Sequence, residues 1–361
     1  MKTTRENRWI DENGGYMIPV NDSSIKKYLT PYRYPKPVLT GSGVPGAFDE
    51  KSVDIPFVFA HNNLFYMLYT GFDGISYRSA LAVSDDLLNW KHKGVILGRL
   101  ENSKRWDSMG AAATWMIKES DNLYDTPRPG KIDGKYWLVY HSYPGTGYEE
   151  GPAEIGLAWT DDEELLHWNR LEKPVFSWKD GQEWERGGLY KACIIRHEDR
   201  WYMFYNAKNA EKRWIEQTGV AVSKDLVNWE RYGENPVLRV SPGRWDGRFV
   251  SDPCIVKDGK YWLNFYFGYD NGHAQEGLAI SENLFDWEKV DSPIIPHGKP
   301  GDLDEGHAHK ASVFWHNGTL YHFYCATRPY REGDPTKVFN EFRTIAVAAS
   351  TKLPSVQEAG I

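Results

Sequence analysis

The phrase "LAVSDDLLNW" (81–90) returns as "LAWTDDEELLHW" (157–168), "VAVSKDLVNW" (220–229) and "LAISENLFDW" (278–287), with a truncated fifth copy, "IAVAAS" (345–350). A recurring phrase constrains the fold more than any composition does. One repeat unit cannot bury its apolar face alone and must stack on its neighbours. Upstream of each copy lies an aromatic run: "LFYMLYTG" (64–71), "KYWLVYHS" (135–142), "RWYMFYNA" (200–207), "KYWLNFYFG" (260–268) and "TLYHFYCAT" (319–327). A third motif opens each unit, as in "KPVLTGSG" (36–43) and "KPVFSWKD" (173–180). Turns such as "HNN", "IDGK", "KDGK" and "HNGT" are hairpin chemistry, and helical periodicity is missing. Each unit therefore reads as four short antiparallel strands over roughly 60 residues, and five units predict an all-β, five-bladed β-propeller. The expected layout is an N-terminal arm (1–35), a single propeller domain (36–352) and a C-terminal tail (353–361). The arm is expected to complete a blade or to join two copies as a homodimer.

Composition narrows the partners. The 361 residues carry a net charge of −7 with no basic run, which argues against nucleic acid. No run approaches the roughly 18 apolar residues of a membrane helix, and "MKTTRENRWIDENGG" has no apolar leader, so a cytoplasmic protein is expected. Cys193, Cys254 and Cys325 are scattered in apolar runs and read as buried free thiols. The 16 Trp and 22 Tyr suit β-structure and sugar-stacking surfaces.

In a propeller the innermost strand of each blade lines the axis. Here those strands read "DIPFVFA" (54–60), "AATWMIK" (112–118), "YKACIIR" (190–196), "SDPCIVK" (251–257) and "HKASVFW" (309–315). Their first residues predict a ring of Asp54, Ala112/Ala113, Tyr190/Lys191, Asp252 and His309/Lys310. Buried ionisable groups cost several kcal/mol unless paired, so converging Asp, Lys and His mark a candidate site, with a salt-bridged channel plug as the plainer alternative. A second acidic series, Asp49, Asp107, Glu185, Asp246 and Asp304, recurs before every inner strand and is most simply architectural. Glu185 is kept as a catalytic candidate for its longer reach.

The repeated "LAVSxDLxNW" phrase, the "DGKYWL" hairpins and the aspartate opening "SVDIPFVF" resemble the five-bladed propeller glycosidases over nearly the whole chain. These are glycoside hydrolase families 43 and 32, with the related families 117 and 130. The resemblance implies hydrolysis of a glycosidic bond, of an arabinofuranoside, xyloside, fructoside or galactose derivative. Asp54 matches the first-blade aspartate that serves as general base in families 43 and 117. The family 43 pattern is then departed from: "GAAATWMI" (110–117) has no acid, and blade three offers Tyr190-Lys191 in place of a glutamate. The "EGP" at 150–152 follows the second strand of blade two and is read as a decoy, and the "EDPR" phrase of family 130 is missing. Blade four supplies Asp252 and blade five His309, similar to the late-blade histidine of family 117.

The expected chemistry is an exo-acting, inverting glycosidase on a small oligosaccharide. Asp54 is its base and His309 or Glu185 its acid; Asp252, raising the His309 pKa, binds hydroxyls or stabilises the oxocarbenium charge. Lys191, Lys310, His307 and Arg328 are candidate polar contacts, and Tyr190, Trp115 and Trp214 candidate stacking surfaces. A non-catalytic sugar-binding propeller and a phosphorylase are the alternatives. No cofactor is expected. His307 and His309, two apart on one strand face, also admit a zinc ion, and the axis a structural calcium.

Overall fold

The computed structural model describes residues 9, 10 and 16–354, and strands dominate it. Blade one is Ser52–His61, Leu64–Phe72, Tyr77–Ser84 and Lys91–Leu97, hydrogen-bonded in that order. Blade two follows with Ala112–Met116, Lys135–Ser142, Glu154–Thr160 and Asn169–Arg170. Blade three has Gly188–His197, Arg200–Lys208, Glu216–Ser223 and Trp229–Arg231. Blade four has Phe249–Asp258, Tyr261–Tyr269, Gln275–Ser281 and Glu288–Val290. Blade five contributes His307–His316, Thr319–Pro329 and Glu341–Ala349. Neighbouring inner strands touch in the order one to five and back to one, so the five-bladed propeller is the fold.

The truncated fifth copy has a structural reason. Its outer strand comes from the other end of the chain: Tyr32 and Arg33 pair with Ala349 and Ala348, and Leu39 and Thr40 with Ile345 and Thr344. Met17 and Ile18 extend blade four beside Lys289 and Val290. The expected tail (353–361) and the first residues of the arm lie largely outside the described residues. No helix among the described residues is long and apolar enough to cross a membrane.

The repeated phrase is a turn with a tryptophan lock. Ser84 and Asp86 accept the backbone N–H groups of Leu87, Leu88 and Asn89, the local bonding that makes Ser and Asp turn residues. Trp90 Nε1 then donates to the Leu87 carbonyl at 3.0 Å, and Trp168, Trp229 and Trp287 repeat this on Leu165, Leu226 and Leu284. Four of the five architectural acids also bond alike, whereas Asp49 accepts the Ser42 hydroxyl. Asp107, Glu185, Asp246 and Asp304 accept the hydroxyls of Tyr140, Tyr205, Tyr266 and Tyr324, and pair with Arg105 and Arg170, Arg231, Lys289 and Arg33. In blades two, three and four a tryptophan stacks on that tyrosine at 5.6–6.0 Å. The glycine of "IGLAW", "TGVAV" and "EGLAI" makes room for the stack. A Cβ at Gly156, Gly219 or Gly277 would stand 2.6–2.7 Å from the tyrosine or tryptophan ring.

Candidate active site

Each inner strand carries an extra residue against its partner, a β-bulge. Asp54 pairs with Thr70 and Phe57 with Leu68; Ser251 pairs with Phe267 and Cys254 with Phe265; His309 pairs with Cys325 and Ser312 with Phe323. The equivalent of Asp54 is therefore Ser251 and His309, while Asp252 and Lys310 correspond to Ile55. Ile55, Asp252 and Lys310 all take positive φ, at 51°, 60° and 69°, a costly conformation for side-chain-bearing residues that concentrates at functional sites. The ring expected from sequence set Asp54 level with Asp252. The structure shifts it by one residue, and Ile55 faces the cavity instead.

That cavity holds about 360 Å³ at one end of the axis, a volume in the range of small-ligand sites. Its acids are Glu149, Glu216 and Asp252; its cations are Lys191, Lys208, Arg248, Lys310 and Arg343. Two aromatic walls face it. One is Tyr143 and Tyr190, 5.4 Å apart, with Tyr148; the other is Trp214, Phe249 and Tyr269, successively stacked at 6.1 and 5.0 Å.

Asp54 is buried and lies behind this wall, outside the lining. Its Oδ2 accepts Lys310 Nζ at 2.7 Å and Arg343 Nη1 at 3.0 Å, and its Oδ1 the Ile55 N–H at 2.9 Å. Burial pushes its carboxyl up, but Lys310 and Arg343 outweigh that and hold it well below the usual carboxylate range. Tyr148 bridges Asp54 and Arg343, pinning the blade-two loop to blade five.

Asp252 behaves oppositely. Burial raises its pKa to about 7, only partly offset by Lys191 and Lys310 and reinforced by Glu216 and Glu149. Asn206 Nδ2 lies between Asp252 Oδ1 (3.4 Å) and Glu216 Oε2 (3.2 Å). Glu216 also accepts Trp214 Nε1 at 2.8 Å and Ser251 Oγ at 2.9 Å. Glu149 accepts the Tyr77 hydroxyl at 3.3 Å and stands 3.6 Å from Lys310.

His309 lines the cavity, but not as the expected imidazolium. Its Nδ1–H donates to the Cys325 carbonyl at 3.0 Å, and burial with Lys310 and Arg343 nearby drives its pKa well below 6.5. It is a neutral ring whose Nε2 accepts. His307 is also a lining residue: its Nδ1 accepts the Ala274 N–H, and burial lowers its pKa to about 4.

Other expectations resolve by position. Lys191, Tyr190, Lys310 and Trp214 line the cavity. Glu185 does not: it is fully buried, held by Arg231 at 3.0 Å and Tyr205 at 2.6 Å in the architectural series. Trp115 is core, packed on Phe57 and donating to the Ile194 carbonyl. Arg328 is bound by Asp334 at 2.6 Å and stacks on Phe342 outside the cavity. Asp54, His309 and Cys325 offer three possible metal-ligand atoms within 4.8 Å of one another. A cation there would meet Lys310 and Arg343 on the same carboxylate, and His309 Nδ1 already donates, so the group does not fit a metal. Sequence reasoning passed over Glu149, Glu216 and Arg343. Glu216 and Arg343, with Arg78, Glu154 and Glu276, are charges that differ from copy to copy just upstream of the repeated phrase, a readable signal.

A five-bladed propeller with a polar, aromatic-walled cavity at its axis defines the class of the propeller glycoside hydrolases and phosphorylases. The family model described as the glycosyl hydrolases family 32 N-terminal domain matches residues 116–299, and the chain belongs to that family. A solved structure described as a glycoside hydrolase is 28% identical with a TM-score of 0.77, covering 92% of this chain and 95% of the other. An uncharacterised protein of Mycobacterium tuberculosis is 25% identical over 254 residues, 69% of this chain and 77% of the relative. A 1,2-beta-oligomannan phosphorylase of Thermoanaerobacter sp. (strain X514) is 32% identical over 127 residues, 33% of this chain and 42% of the relative.

Proposed function

We propose that the protein is an exo-acting glycoside hydrolase that removes one terminal sugar from a small oligosaccharide. The observation that carries this reading is the convergence of Asp252, Glu216 and Glu149 in one aromatic-walled cavity of about 360 Å³. Sugar faces stack on such walls, and glycoside hydrolysis runs on a pair of carboxyl groups.

Asp252 takes the role of proton donor. Its carboxyl keeps the proton to about pH 7, as a general acid at neutral pH requires. As the glycosidic C–O bond breaks, its O–H delivers the proton to the leaving oxygen. Glu149 enters from the blade-two loop beside Tyr77 and takes a proton from the water whose oxygen bonds to the anomeric carbon. This assigns inversion. Glu216, fixed by Trp214, Asn206 and Ser251, receives sugar hydroxyls and helps keep Asp252 protonated. Asp54 becomes a positioning residue for Lys310 and Arg343, and neutral His309 a hydrogen-bond acceptor.

The test is a panel of nitrophenyl glycosides and short oligosaccharides, followed by NMR of the first-formed anomer. Asp252→Asn and Glu149→Gln should each lower kcat by about 10²–10⁴-fold in folded protein. Full activity in both variants would sink the assignment. Phosphorolysis is the second reading, supported by the oligomannan phosphorylase likeness and by Lys191, whose ammonium among the described residues hydrogen-bonds only to the Ala311 carbonyl, at 3.3 Å. Turnover that requires inorganic phosphate would select it.

A further inference from the structure

Two of the five cavity cations are paired with carboxylates, and a third, Lys191, is buried in the wall. Lys310 binds Asp54 and Glu149, Arg343 binds Asp54 and Glu341, and buried Lys191 meets the Ala311 carbonyl. Lys208 and Arg248 differ. Both are half-buried on the cavity lining, and neither makes an ion pair among the described residues. Lys208 Nζ lies 4.9 Å from the Tyr190 ring centre and 5.1 Å from that of Trp214. The Arg248 guanidinium lies 4.9 Å from Trp214 and 4.8 Å from Phe249, held by the Trp214 carbonyl at 3.1 Å and Asn271 Oδ1 at 3.0 Å. Lys208 sits directly across the strand pair from Glu216 without bonding to it.

Two cations fixed around one tryptophan, with no carboxylate of their own, form a receptor for one. Ring faces compensate a cation only weakly, by roughly 0.5–1 kcal/mol at exposed sites. A neutral sugar needs no such pair, whereas a guanidinium fork and an ammonium together match a carboxylate. Resting on the glycosidase reading, we propose that the substrate carries a uronosyl carboxylate, received by Lys208 and Arg248 while the sugar ring stacks on the Trp214 wall.

Calorimetric titration of the whole chain with glucuronic and galacturonic acids, with glucose and galactose, and with inorganic phosphate tests this. At least one uronic acid should bind about tenfold more tightly than its neutral counterpart, and this preference should weaken with added salt. Lys208→Gln and Arg248→Gln should each reduce the preference, and Lys208→Arg should restore much of it. Equal binding of acidic and neutral sugars, phosphate binding without uronate binding, or a preference that survives the double Gln variant overturns the proposal. The two readings fail separately. Turnover of neutral glycosides without uronate preference removes only this inference, whereas uronate preference without turnover of any glycoside removes only the glycosidase reading.

Discussion

Lys310 Nζ donates to Asp54 Oδ2 at 2.7 Å across the join of blades five and one, 256 residues apart in sequence. With Arg343 it surrounds a carboxylate that has almost no contact with solvent, and it turns that carboxylate away from the cavity.

Removing Asp54 therefore strands two buried cations. Asp54→Asn should destabilise the fold by roughly 3–5 kcal/mol in urea unfolding, and adding Lys310→Met should recover part of the loss. The folded pKa of Asp54 lies below its unfolded value, so its stabilisation is complete above about pH 3.9 and fades as pH falls further. The gap between wild type and Asp54→Asn should narrow below that pH. A gap that widens on acidification contradicts the pairing.

As the proposed donor, Asp252 should set the alkaline side of activity. A donor with a pKa of about 7 is protonated below that pH, so kcat/KM should decline as pH rises through 7. A profile flat from pH 6 to 8.5 would remove Asp252 as donor.

Glu185 should serve the fold and not the chemistry. Glu185→Gln breaks the bond set with Arg231 and Tyr205 and should cost about 2–4 kcal/mol, while kcat per folded molecule stays unchanged. A kcat loss of tenfold or more in fully folded protein would return Glu185 to the chemistry.

Between blades four and five, Glu276 and His322 lie fully buried 3.8 Å apart, with no hydrogen-bond partner for either side chain among the described residues. Burial pushes Glu276 well above its usual range and His322 down to about 3, so both are neutral in the folded protein near neutral pH. The unfolded Glu276 gives up its proton near pH 4.3 and the folded one does not, so the Glu276 contribution falls as pH rises beyond that. The unfolded His322, protonated below about pH 6.5, offsets this up to there and leaves the net loss above about pH 6.5. Glu276→Gln should gain on wild type above about pH 4.3, and Glu276→Leu with His322→Leu should be at least as stable as wild type. Unfolding midpoints measured across pH settle both, and a double variant several kcal/mol weaker than wild type refutes the second.

Much of this molecule was legible in its sequence because repeats are one-dimensional information. The copies of "LAVSDDLLNW" determined the propeller, the blade boundaries and the turn that each Trp locks. The acid recurring in every copy marked Asp107, Asp246 and Asp304 as architecture, and the same logic, applied fully, assigns Glu185 to them. The innermost strands of blades three to five were read well enough to bring Lys191, Asp252, His309 and Lys310 to one cavity.

Tertiary structure alone decided that in blades one and four only the second bulge residue, Ile55 or Asp252, reaches that cavity, while in blades three and five both do. Side chains alternate along a strand, so one extra residue sends the next side chain to the opposite face. "SVDIPFVF" and "VSDPCIV" look superimposable, yet Ile55 rather than Asp54 stands level with Asp252. The same holds for charge. The pKa of Asp252 on blade four rises to about 7 because burial, with Glu216 of blade three and Glu149 of the blade-two loop, outweighs Lys191 and Lys310, and no local spacing records that meeting.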